Sequence, residues 1–389
     1  MKKGKLFASI SIILLAFVFS NINATDLQKS NDPQGESTKS FTVSKGGKLY
    51  VNVNPGDIKI STWDKNEVVV KVRGVEESEL KNVSMTLSNN TVTVKYNPEW
   101  GWSDDVEFMF NIPVQFNVEA KTSGGDVKIS SSITGEVEIS SMGGDVSVQN
   151  VNGKATLSTQ GGGVNTGNIS GSLSLKTMGG DVKVGNVSGD YAKVTTMGGE
   201  ITIGKVSSGI NAVTYGGDIK IDGIGGDADI ETMGGDINLK DIKGKVTMET
   251  KGGSITVKNC IGSLKANTYG GELDLRGISG SVDANSMSGD VYVEMNPSSG
   301  SKSRISTMNG EIELRLPSNA KADISAEIKG YGNWKYMKDE YSIDSDFPAK
   351  ASTGESGKKI TGEYTVNGGG ATIILKSTNG SIKIKKSNK

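Results

Sequence analysis

The chain has 389 residues, with 43 Lys/Arg against 44 Asp/Glu, a formal net charge of -1 and no histidine. Near neutrality gives no basic footprint for nucleic acid or an anionic membrane, and a chain without imidazole cannot build a Ser-His-Asp or Cys-His site. A single cysteine, Cys260, rules out an internal disulfide.

At the N-terminus, Lys2, Lys3 and Lys5 precede an apolar run from about Leu6 to Phe19, closed by the small Ala24. That run is short for a membrane span and is read as a secretory signal peptide over residues 1–24. Removing its three lysines leaves 40 basic against 44 acidic residues, a net of -4. No later stretch reaches the ~20 apolar residues of a membrane helix, so the mature chain is expected in the periplasm, at the cell surface or outside the cell. Residues 25–40, TDLQKSNDPQGESTKS, have no apolar periodicity and read as a flexible leader.

Residues 41–121 carry long alternating runs, at 67–75, 83–87, 91–96 and 105–118, with Asn89-Asn90 as a hairpin turn. They are expected to form an N-terminal β cap, because an open stack of strands exposes unpaired edges.

From residue 122 a repeat takes over. The second glycine of each pair falls at Gly125, Gly144, Gly162, Gly180, Gly199, Gly217, Gly235, Gly253, Gly271 and Gly289, at intervals of 18 or 19 residues. A further glycine near the middle of each unit, such as Gly244 or Gly262, divides it into two halves of one strand and one turn each. Ile237 and Leu239 alternate with Asn238 and Lys240, then Val246 and Met248 alternate with polar neighbours. This period of two marks half-buried strands. Equivalent residues stay in phase from unit to unit, so only stacking gives a continuous core. The expectation is an all-β, parallel β-solenoid of about ten 18-residue, two-strand coils over 122–310, roughly 50 Å long at about 4.8 Å per coil. Residues 311–389 loosen the rhythm and read as the C-terminal solenoid end and cap.

Repeated GGDV and GGDIKI units, the stretch IPVQFNVEAKTSGGDVKI (Ile112–Ile129) and the closing LKSTNGSIKIKK (Leu375–Lys386) together resemble a bacterial β-solenoid family of candidate adhesins whose function is unassigned. The resemblance covers about residues 41–389. It implies a parallel β-solenoid with an adhesin-like role and brings no catalytic or binding residues with it.

In a solenoid each repeat position becomes a column. The acids Asp126, Asp145, Asp181, Glu200, Asp218, Asp236, Glu272 and Asp290 follow the glycine pairs. Calcium-binding nonapeptides place an acid sixth, whereas here it is third and the sixth position is apolar. These acids are read as acceptors for backbone N–H groups, their repulsion offset by lysines two positions on. No metal or cofactor is expected. The residue before the glycine turn is Met or Tyr in eight of the ten units from Met142 to Met308, the others being Gln160 and Lys251, and is read as covering the bare glycine backbone rather than docking a partner. The inward Thr column is expected to form a hydroxyl ladder, and Cys260 to pack as a small hydrophobe.

Function is read as non-enzymatic, structural or adhesin-like at the cell envelope, with a glycan or another envelope protein as partner. The alternative is a glycan-binding module using Trp100, Trp102, Tyr331, Trp334, Tyr336 and Tyr341, which lie in the two irregular end stretches. A polysaccharide lyase or hydrolase fits less well, because the turns between Gly125 and Gly289 leave no long loops to wall a cleft.

Overall fold

The computed structural model describes residues 28–29, 36–99, 105–330, 340–350, 354–355 and 359–387. Among these, nearly all regular structure is β, and its central strands run parallel to one another. One stack contains Val127–Ile129, Val146–Val148, Val164–Thr166, Val182–Val184, Ile201–Val206, Ile219–Ile224 and Ile237–Lys243, each paired with the next. The second contains Val137–Ser141, Ala155–Ser158, Leu173–Lys176, Tyr191–Thr195, Gly209–Val213, Ala228–Glu231 and Val246–Thr250.

Register follows the sequence repeat. Ile219 sits opposite Ile237, which sits opposite Ile255, and Ala228 opposite Val246. Residues of the inward set are buried from both stacks, and one apolar cluster runs from Phe41 to Ile384. Burying each such Ile or Leu is worth about 1.5–3 kcal/mol, which a lone coil could not collect because half of its core is its neighbours. At the bend between stacks, Ile224, Ile242, Cys260 and Ile278 pair in sequence and are fully covered. Cys260 is therefore a small core residue, and burial pushes its thiol up to about 11, which leaves it protonated and inert. The strand Ile255–Thr268 pairs with Ile237–Lys243 over its first half and with Val246–Thr250 over its second. The sheet thus turns the corner at Cys260 and wraps the core like a barrel wall.

In-register stacking is not confined to 122–310. Gly47–Val53 pairs parallel with Phe116–Thr122, and Asp57–Trp63 with Val127–Ile129, so residues 47–63 are already one coil. At the other end, Ala371–Thr378 and Ile382–Lys386 stack on Lys302–Asn309 and Ile312–Leu316. The run expected as one strand over 105–118 is instead two, Glu107–Pro113 and Phe116–Thr122, in different stacks. Pro113 ends the first, having no N–H to donate to a ladder. Antiparallel pairs flank both ends: Val83–Ser88 with Thr91–Tyr96, joined through Asn89 and Asn90 at positive φ, and Ala322–Lys329 with Lys359–Val366.

The inward and outward assignment has a direct test. Ile237→Asp places an unpaired carboxylate in the core and should cost more than about 4 kcal/mol, whereas the exposed Asn238→Asp should stay within about 0.5 kcal/mol. Denaturant melts of the two variants read the difference.

Candidate interaction edge

The repeated Thr-Met-Gly-Gly-Asp turn forms one long edge of the molecule, and each of its residues has a separate physical job. The Thr or Ser hydroxyl points inward and donates to the carbonyl of the second glycine one coil earlier. Twelve such bonds run along the rod, from Thr122 Oγ1 to Gly56 O through Thr232 Oγ1 to Gly217 O and on to Ser377 Oγ to Gly310 O, at 2.7–3.1 Å. In nine of the twelve, from Thr122 to Thr268, the same oxygen accepts the N–H of the second glycine in its own coil, as Thr232 does from Gly235 at 3.3 Å. The hydroxyls therefore do not bond to one another as a ladder. Each clips one glycine turn to the turn beneath it.

That clip explains the second glycine. A Cβ on Gly235 would fall inside contact distance of the Gly217 carbonyl oxygen, and the same clash recurs at Gly199, Gly217, Gly253 and Gly271. The first glycine is less constrained, since a Cβ on Gly234 would meet Gly216 O at 3.2 Å.

The acids do accept backbone N–H groups, and they do so between coils. Asp126 Oδ1 takes the Asp145 N–H at 2.8 Å, Asp181 that of Glu200 at 2.9 Å, Asp218 that of Asp236 at 2.8 Å, and Asp290 that of Glu311 at 2.7 Å. Ser254 Oγ does the same for Glu272 at 3.1 Å. Lys128, Lys183 and Lys220 do not offset the column as ion-pair partners. Among the described residues none of the eight acids forms a salt bridge. No group of three metal-ligating side chains converges among the described residues either.

The Met/Tyr column departs from the sequence reading. Met142, Met178, Met197, Tyr215, Met233, Tyr269, Met287 and Met308 are 39–54% exposed. They do not blanket the glycines, because the first glycine of the pair, as at Gly143, Gly179, Gly216 and Gly252, is itself exposed. The edge is thus an apolar ridge and an exposed acid column on either side of a bare glycine strip.

Of the aromatic residues expected to bind glycan, Trp100, Trp102, Tyr331, Trp334 and Tyr336 lie outside the described residues. Tyr341 is half-buried and packs against the core. An aromatic site that sequence reasoning missed is Tyr292, with the Arg276 guanidinium 4.5 Å from its ring and Arg315 at 5.9 Å. Asp274 and Glu313 pair those arginines at 2.7 and 2.6 Å, so the group is a satisfied surface network. In the depression beside Lys48, Glu119 and Glu136, about 170 Å³, the Glu119 carboxylate is paired. Lys121 and Lys48 each reach Glu119 at 2.6 Å and hold its carboxyl below the usual range, which suits an ion pair rather than a proton donor.

Comparison with known proteins assigns the lineage. The sequence profile of the Toastrack DUF4097 family matches residues 46–260 and, in an overlapping second match, 226–385. The chain belongs to the Toastrack family. No curated protein matches it significantly. Among solved structures, the Toastrack chain is similar to a candidate adhesin from Bacteroides fragilis at 11% identity and a TM-score of 0.24, covering 92% of this chain and 100% of that one. A candidate adhesin from Parabacteroides merdae gives 11% and 0.26, with 91% and 96% covered. A candidate cell adhesion protein from Clostridium sporogenes gives 11% and 0.18, with 90% and 99% covered.

Two outcomes check the edge. Thr232→Val keeps the shape but strips two buried backbone groups of a partner, and should cost about 1–3 kcal/mol. Gly235→Ala should cost about as much or more by overpacking, with Gly234→Ala clearly milder. In calorimetry, a chelator should leave Tm unchanged, since the acid oxygens are engaged by N–H groups; a drop of many degrees would restore a calcium role.

Proposed function

We propose that this protein is exported and works without catalysis, as a structural or adhesin-like β-solenoid at the cell envelope that holds a partner along its Met/Tyr edge. The observation that carries this reading is the ridge itself: eight large apolar side chains exposed at one turn position in eight of ten successive coils, interrupted at Gln160 and Lys251, with Met178, Met197, Tyr215 and Met233 in unbroken succession. Scattered surface apolar residues are ordinary, but a contiguous stripe rimmed by polar groups is the usual mark of an interaction site. Methionine suits such a surface, because its flexible thioether adapts to irregular partners. Export is supported by the lysine-led apolar segment of residues 1–24.

The remaining organisation follows the same reading. Residues 25–40 serve as a leader that is not flexible at its end, since Ser37–Thr42 is a strand paired antiparallel with Glu67–Arg73; 41–121 and 311–389 serve as the two capped ends, and 122–310 as the regular coils that present the edge. The antiparallel pairs at Val83–Tyr96 and Ala322–Val366 support the capping role, since they cover the strand edges of an open stack. The half-buried Tyr341 favours a capping role over glycan binding for its stretch.

The test is co-sedimentation with envelope fractions of the producing cell. The triple variant Met178→Ser, Met197→Ser, Met233→Ser should keep its Tm and bind about tenfold more weakly or worse. Equal binding by the variant and the parent protein would overturn the reading.

A further inference from the structure

We infer that the occupant of this edge is a cationic amphipathic polypeptide, a step that rests on the reading of the Met/Tyr ridge as a binding surface. Three features of the edge select that chemistry. The first is the pairing of columns. On one side of the glycine strip stand the exposed Met and Tyr side chains, and on the other the exposed carboxylates of Asp126, Asp145, Asp181, Glu200, Asp218, Asp236, Glu272 and Asp290.

The second feature is charge. None of these carboxylates has an ion-pair partner among the described residues, although Lys128, Lys183 and Lys220 stand two residues on from three of them. Each Asp that binds the next coil's N–H does so through Oδ1, which leaves Oδ2 free of that bond. Like charges one coil apart, at about 4.8 Å, repel modestly in water and gain from any cation placed along the line. A partner bearing Lys or Arg answers that column, and its charge steers the encounter. An anionic lipid headgroup or an acidic glycan is repelled by it. Two copies of this edge facing one another would oppose acid to acid with the rods antiparallel, and acid to apolar ridge with the rods parallel.

The third feature is shape. Met and the acid are three residues apart in the turn, so their Cα atoms are at most about 10 Å from each other. Between them the first glycine of each pair is exposed and offers backbone without a side chain, while the second packs against the neighbouring coil. That is the width of a floor on which one polypeptide segment can lie, with apolar side chains on the methionine side and cations on the acid side. The exposed first glycine permits such a close backbone approach.

The experiment uses the intact protein and three labelled synthetic peptides of about twelve residues, long enough to span several coils: alternating Lys-Leu, alternating Glu-Leu and alternating Lys-Ser. Fluorescence anisotropy is read at low and high salt. The Lys-Leu peptide should bind, and the Glu-Leu and Lys-Ser peptides should bind at least about tenfold more weakly. The ridge variant, Met178→Ser with Met197→Ser and Met233→Ser, should lose Lys-Leu binding. The acid variant, Asp181→Asn with Asp218→Asn and Asp236→Asn, keeps each Oδ1 acceptor. It should retain its Tm, weaken binding about tenfold or more and flatten the salt dependence. Equal binding of Lys-Leu and Glu-Leu, or an acid variant that binds like the parent, overturns the cationic partner. Absence of Lys-Leu binding overturns it too, and if the ridge variant still loses envelope co-sedimentation, the edge remains a binding surface for another chemistry. Lys-Leu binding that survives the ridge variant unchanged places the peptide elsewhere and overturns the proposal.

Discussion

The clip between a buried hydroxyl and the glycine carbonyl of the coil beneath is the constraint on which the rest of this molecule depends. A parallel stack has no hairpins to hold neighbouring strands together, and its strands here are often only three to five residues long. Ladder bonds of that length leave the turns free to spread. From Thr122 to Thr268 each of these hydroxyls closes the turn of its own coil and bonds the turn one coil earlier with a single oxygen, as at Thr232. The geometry brings two turns so close that a Cβ on the second glycine has no room. Threonine, the second glycine and the acid are therefore coupled choices: the hydroxyl draws the turns together, the glycine permits it, and the carboxylate takes the N–H left pointing along the rod. Only the residue between threonine and the glycines is free of that duty, and there Met and Tyr stand in solvent.

Much of the fold was legible because both periods are written in side chains. Alternation at Ile237, Leu239, Val246 and Met248 gives inside from outside, and the glycine spacing gives the unit. The coil formed by residues 47–63 was not legible. Its partner strands come after a long excursion through residues 67–113, and no spacing rule carries a register across such an insertion. Pro113 did signal the break in the run at 105–118, but alternation on both sides of it hid the change of stack.

The edge was half legible. The sequence placed Met and Tyr outside and the acids at the turn, yet it could not say whether a flexible methionine lies over a neighbouring glycine or stands clear of it. That depends on how closely successive turns approach, which only coordinates give. The missing ion pairs have the same origin. Asp218 and Lys220 look like partners along the chain, but one bonds the next turn while the other stands on the outer face of a strand. Tyr292 with Arg276 and Arg315 escaped notice because the three residues belong to three successive coils and meet only across the in-register stack of Asp274, Tyr292 and Glu313.

Amide hydrogen exchange, resolved to single residues in the central coils, tests the account most directly, because protection reports the free energy of opening each bond. The interlocked turn predicts that the amides of Gly235 and Asp236, bonded to Thr232 and Asp218, exchange as slowly as the ladder amide of Ile237, bonded to Ser254. Turn amides that exchange at the rate of an unstructured peptide, beside a protected Ile237, would contradict it.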